Sequence, residues 1–112
     1  MTDEELVDAL KALAHPVRVR ILRALTGTER NVGEIDDAAD IGQPTLSQQL
    51  AVLRNAGLVK TRKDAKLVYY RIDETRIAKV VDAAGALGGL SGNPVQQSRQ
   101  PAPGVANFAK LG

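Results

Sequence analysis

Apolar residues recur at helical spacing in five segments of the chain, and two further segments carry the β-branched and aromatic runs of strands. Thr2 and Glu5 stand three apart in the arrangement of a capping box, and Leu6, Leu10 and Leu13 behind them predict a first helix that stops at His15-Pro16. Pro16 suits the first turn of a second helix whose Val17, Ile21, Leu22 and Leu25 face inward, ending near Gly27. Asn31 is placed to cap a short third helix, "VGEIDDAAD", with Val32, Ile35 and Ala39 apolar. A fourth spans "GQPTLSQQLAVLR", residues 42–54. After Gly57, "LVKTRK" and "KLVYYRI" are separated by Asp64-Ala65 and predict a short antiparallel hairpin, with Val68, Tyr70 and Ile72 on its core side. A fifth helix runs from about Asp73 to Leu87.

The fourth helix has an uncommon outer face. Leu46, Leu50 and Leu53 fall at i, i+4 and i+7 and make one apolar stripe. Opposite them, where Glu and Lys are usual, stand Thr45, Ser47, Gln48 and Ala51. Helix three, the brief turn "DIG" and helix four form a helix-turn-helix, and the hairpin behind it forms a wing. The expected fold is therefore mainly α with a small β-hairpin wing (α+β): a winged helix-turn-helix of five helices and a two-stranded wing. In that arrangement the second helix of the pair enters the major groove and presents its N-terminal side chains to base edges. Amides pair bidentately with adenine, hydroxyls donate or accept, and small residues allow close approach, whereas long charged side chains would favour phosphates of any sequence.

Composition narrows the rest. A chain of 112 residues, 44% hydrophobic, buries one modest core. Residues 1–87 are expected to form the winged helix-turn-helix, DNA-binding and dimerisation domain. From Gly88 the sequence "GGLSGNPVQQSRQPAPGVANFAKLG" is rich in Gly, Pro and Gln without sustained periodicity, so 88–112 is expected to be a disordered tail. No apolar run approaches the ~20 residues that span a bilayer, and "MTDEEL" lacks the features of a signal peptide, so the expected location is cytoplasmic, with no membrane partner. There is no cysteine, hence no disulfide, thiolate metal site or thiol switch.

The net charge of +2 averages over segments of opposite sign. Residues 1–42 hold five Lys/Arg against nine Asp/Glu, whereas residues 43–71 hold Arg54, Lys60, Arg62, Lys63, Lys66 and Arg71 against Asp64 alone. Such a split fits a solvated basic face or the footprint of a docked polyanion. Arg62, Lys63 and Lys66 surround the wing turn as mobile cations suited to phosphate oxygens or the minor groove. Tyr69 lies on the outer side of the hairpin and is assigned to packing rather than to DNA. Ile77, Val80, Val81, Ala84 and Leu87 on helix five, with Leu6 and Leu10 on helix one, offer more apolar surface than a small domain covers by itself, and predict a homodimer interface.

"LAHPVRVRILRAL" followed by "IGQPTLSQQLAVLRNAGLVKTRKDAKLVYYRID" resembles the ArsR/SmtB family of dimeric winged-helix bacterial repressors, across most of residues 6–87. "LSQQL" with "TRKDAKLVYY" is most similar to the branch that includes the biofilm growth-associated and nodulation repressors. The resemblance implies a homodimer on double-stranded operator DNA. Carried over by position, it puts base contacts on Gln43, Thr45, Ser47 and Gln48, wing contacts on Arg62, Lys63 and Lys66, and a phosphate contact on Arg54. Gly42 stands where the family commonly has Ser, which implies an N-cap weaker by a few tenths of a kcal/mol, roughly.

The family's frequent Cys-x-Cys pair would align with Asn31 and Gly33, and its Asp/His site on the fifth helix meets only Asp73, Glu74 and Asp82 here. His15, the one histidine, suits a helix junction. The expectation is thus no metal site and no cofactor, with the inducer unknown. An enzyme is excluded for want of a nucleophile and base pair, and aromatics at 3% are too few to stack single strands. A winged helix repurposed for protein contact is the alternative; it predicts an apolar outer face on helix four, which the Gln/Ser/Thr face opposes.

Overall fold

The computed structural model describes residues 1–90. The chain order is α1 (Asp3–Leu13), α2 (Pro16–Leu25), β1 (Arg30–Asn31), α3 (Val32–Ala39), α4 (Thr45–Asn55), β2 (Val59–Asp64), β3 (Leu67–Ile72) and α5 (Glu74–Leu87). Met1–Val80 forms one compact unit, and the residues from Val81 onward form a second. Most of the expected tail, from Ser91 on, lies outside the described residues.

The helix starts follow from local chemistry. Thr2 Oγ1 accepts from the Glu5 N–H at 3.1 Å, and Glu5 Oε1 accepts from the Thr2 N–H at 2.8 Å, closing the capping box. That backbone hydrogen bond is the chief reason the Glu5 carboxyl sits below its ordinary range. His15 caps α2, its Nδ1 accepting from Val17 N–H at 3.2 Å with Pro16 next in line. Asn31 and Glu34 form a second capping box at the start of α3.

The sheet has three antiparallel strands in the order β1-β3-β2, one more than the hairpin the sequence predicts. The additional strand has only two residues, Arg30 opposite Tyr70 and Asn31 opposite Tyr69, too few to show an alternation of their own. The hairpin loop is also shifted by one residue: Asp64 pairs with Leu67, so the loop is Ala65-Lys66 rather than Asp64-Ala65, and Ala65 takes φ +59°.

Ile21 and Leu25 of α2, Ile35 of α3, Leu46, Leu50 and Leu53 of α4, and Leu58 are the fully buried large side chains. Each contributes about 1.5–3 kcal/mol of transfer free energy, so the core holds α4 by one stripe and leaves its other side free. Arg18 braces the same helix from behind: its Nε donates to Gln49 Oε1 at 2.7 Å while its Nη1 donates to the carbonyls of Lys11 and Ala12.

The expected dimer stripe is narrower in the structure than in the sequence. Leu6 and Val80 are buried inside the protomer, so they serve its own core and are corrected as surface candidates. Ile77 and Ala84 are half-buried. The large apolar residues of α1 and α5 left exposed are Leu10 and, not expected from the sequence, Val7 on α1, and Val81 and Leu87 on α5. In the second unit α5 ends where Leu90 N–H donates to Gly85 C=O at 2.7 Å, with Gly89 at φ +76°. No helix among the described residues is long and apolar enough to cross a membrane.

Candidate nucleic-acid interface

The turn between α3 and α4 is built by two side chains that the sequence reading did not single out. Asp36 Oδ1 accepts from the N–H groups of Ile41 (3.2 Å) and Gly42 (2.7 Å), and Arg20 Nη2 donates to the carbonyls of Ala39 and Asp40. Arg20 thus satisfies carbonyls that the end of α3 leaves open, and Asp36 satisfies N–H groups of the turn itself. Asp40 adopts the left-handed region, φ 54°, and Gly42 lies at φ +86°. This overturns the assignment of Gly42 as a weak N-cap. The helix begins at Thr45 with Pro44 at the cap position and no side-chain cap bond, and Gly42 is needed for its positive φ. The capping work falls to Gln43, whose Oε1 accepts from the Ser47 N–H at 3.3 Å and from the Ser47 hydroxyl at 2.7 Å.

With the three leucines of α4 buried, Gln43, Thr45, Ser47, Gln48, Ala51 and Arg54 are all exposed. The four residues expected to touch bases therefore share one solvent face of α4 and its lead-in. Gln49, next after Gln48 in sequence, is half-buried and bonded to Arg18, which removes it from that face.

On the wing, strand alternation puts Lys60, Arg62, Asp64, Leu67, Tyr69 and Arg71 on one side of the hairpin, and Thr61, Lys63, Val68 and Tyr70 on the other. Val68, Tyr70 and Ile72 are half-buried, but so is Tyr69 on the other side, so burial along β3 does not follow the expected alternation. Lys63, near the end of β2, and Lys66, in the loop, are exposed. Arg62 departs from the expected mobile cation. Its Nε lies 2.9 Å from both carboxylate oxygens of Glu29, its Nη2 lies 2.8 Å from Glu29 Oε1, and its guanidinium stacks 4.8 Å from the Tyr69 ring centroid. Arg71 approaches the same carboxylate at 3.8 Å. The hydrogen bond from Arg62, followed by the charges of Arg62 and Arg71, holds the Glu29 carboxyl below its ordinary range. Glu29 precedes β1, and that short strand brings it to the wing, 33 residues from Arg62 in sequence. On the fifth helix, Asp73 serves as a start signal, its Oδ1 accepting from the Arg76 N–H at 3.1 Å.

A helix pair with a rigid turn, an outer helix face of amides and hydroxyls, and a cationic hairpin behind it define a winged helix-turn-helix of the DNA-binding class. Residues 13–62 match the family described as a helix-turn-helix domain. The chain belongs to the ArsR/SmtB family of winged helix-turn-helix transcriptional regulators. It is 47% identical over 79 residues to the biofilm growth-associated repressor of Xylella fastidiosa, covering 70% of this chain and 69% of that protein. It is 41% identical over 73 residues to the transcriptional activator HlyU of Vibrio cholerae, covering 65% and 68%. The crystal structure of the transcriptional repressor BigR from Xylella fastidiosa superposes with a TM-score of 0.61 at 42% identity, over 78% of this chain and 96% of that one.

Proposed function

We propose that this protein is a sequence-specific repressor that acts in the cytoplasm as a homodimer on an inverted-repeat operator in double-stranded DNA. The observation that carries the reading is the outer face of α4, where Gln43, Thr45, Ser47 and Gln48 stand exposed over three buried leucines. Those four read base edges, while Lys63, Lys66 and Arg54 bind phosphates. Repression rather than activation follows the biofilm growth-associated relative, and the activator among the relatives makes the direction of control a matter for a reporter assay. The decisive experiment is selection of bound sequences from random duplex DNA, followed by footprinting on the protein's own promoter. An inverted repeat with half-sites about 34 Å apart is expected. Recovery of no preferred sequence would overturn the reading.

The Glu29–Arg62 pair gives this function a brake. Because the carboxyl is held below its ordinary range, the pair is intact above the usual carboxylate pKa and is lost only as pH falls through the lowered value. At neutral pH Glu29 therefore withholds Arg62 from phosphate. Glu29→Gln is expected to strengthen binding to every duplex alike and to steepen the salt dependence by about two for a dimer, one more phosphate per protomer. An unchanged slope in a salt titration would mean that Arg62 does not reach DNA.

With no thiol and one histidine that caps α2, the chain offers little to soft metals, so control by thiophilic metals or sulfur oxidants is not expected. Zinc, cadmium, arsenite or polysulfide in stoichiometric excess should leave operator affinity within tenfold, a coupling under about 1.4 kcal/mol, as read by anisotropy. A larger loss with the protein still folded would place a sensor site in this chain.

A further inference from the structure

The bonds between Gln43 and Ser47 constrain what each can say to a base, and this inference rests on the DNA-reading assignment above. The Ser47 N–H is a donor only, so its partner at 3.3 Å is the carboxamide oxygen of Gln43 and not its NH2. The same oxygen lies 2.7 Å from Ser47 Oγ and carries no proton, so the hydroxyl donates to it. Both lone pairs of Gln43 Oε1 are then occupied. Outward, Gln43 retains two N–H donors and no acceptor, while Ser47 retains oxygen lone pairs and no donor.

We infer that Gln43 and Ser47 work as one reading unit of fixed polarity: Gln43 donates to purine N7 or O6 acceptors, and Ser47 accepts from an exocyclic amine of cytosine or adenine. A lone glutamine recognises adenine by donating to N7 and accepting from N6 together, and in this unit Gln43 lacks the acceptor for that pairing. Gln48 keeps both halves of its amide. The two glutamines of one recognition face thus ask different questions of the groove. The geometry also makes Ser47 a specificity-determining residue for the base under Gln43, through the polarity it imposes.

The test is the base preference of the full-length protein, Gln43→Ala, Ser47→Ala and the double variant on randomised duplexes. Both sites are exposed, but Gln43 caps α4, so each loss weakens that cap, and circular dichroism of every variant confirms that it is folded before preference is read. Gln43→Ala marks the base position that Gln43 reads. Ser47→Ala is expected to change preference at that same position by about tenfold, toward adenine, because it frees a lone pair on Gln43. The double variant is expected to lose the shift, so that the single effects do not add. Overturning the inference requires Ser47→Ala to leave the Gln43 position unchanged, or the two effects to add at separate positions. A wild-type protein without any base preference would instead remove the DNA-reading assignment itself.

Discussion

Replacing Val81 with glutamate is expected to leave folded monomers that bind the operator at least a hundredfold more weakly. Val81 is 65% exposed, so a carboxylate there stays in water within the protomer and threatens no core contact. Leu87 at 77% on the same helix, and Val7 at 47% and Leu10 at 38% on α1, are likewise left uncovered by the described residues. Large aliphatic residues exposed on a helix mark a surface that something covers, and the second copy proposed above, related by a two-fold axis, would place two recognition helices on successive major grooves. Joining two half-site contacts makes the second one effectively intramolecular, a gain on the order of 10²–10⁴ in avidity. Breaking the pair forfeits that gain without touching the reading helix. Sedimentation separates the cases: a Val81→Glu protein that is still dimeric would remove α5 from the interface.

What was legible in the sequence was what short-range chemistry decides. Thr2 with Glu5 announces α1 because a capping box needs only residues three apart, and Asn31 announces α3 as a cap residue. Leu46, Leu50 and Leu53 announce the buried side of α4 for the same reason, and with it the exposure of Gln43, Thr45, Ser47 and Gln48. The features that escaped all depend on distant partners. Arg62 looks like a free wing cation until Glu29 is brought to it, and β1 exists only because Tyr69 and Tyr70 lie beside Arg30 and Asn31. Asp36 and Arg20 spend their side chains on backbone groups of the turn, bonds that no periodicity displays. An apolar stripe, moreover, says which side of a helix is turned from water but not what turns it away. Leu6 and Val80 are covered within the protomer while Val81, one residue on, is not.

Removing Gln48 and removing Lys66 should damage DNA binding in opposite ways. The Gln48 side chain is exposed and forms no hydrogen bond among the described residues, so its donor and acceptor both remain for an adenine edge. Gln48→Ala is expected to cost about 1–3 kcal/mol at each half-site on the preferred sequence and little on others, flattening specificity while the salt slope stays the same. Lys66 occupies the wing loop itself, exposed, with Ala65 before it and Lys63 close by in the hairpin. Its ammonium is a point charge on a flexible stem, fitted to a phosphate and blind to sequence. Lys66→Ala is therefore expected to weaken all duplexes similarly and to lower the salt slope by about two for a dimer. Titrating specific and random duplexes at several salt concentrations reads both quantities at once. If Gln48→Ala changed the slope and Lys66→Ala changed the preference, the wing would be the reader and α4 the anchor, since only a group bound to phosphate releases a counterion.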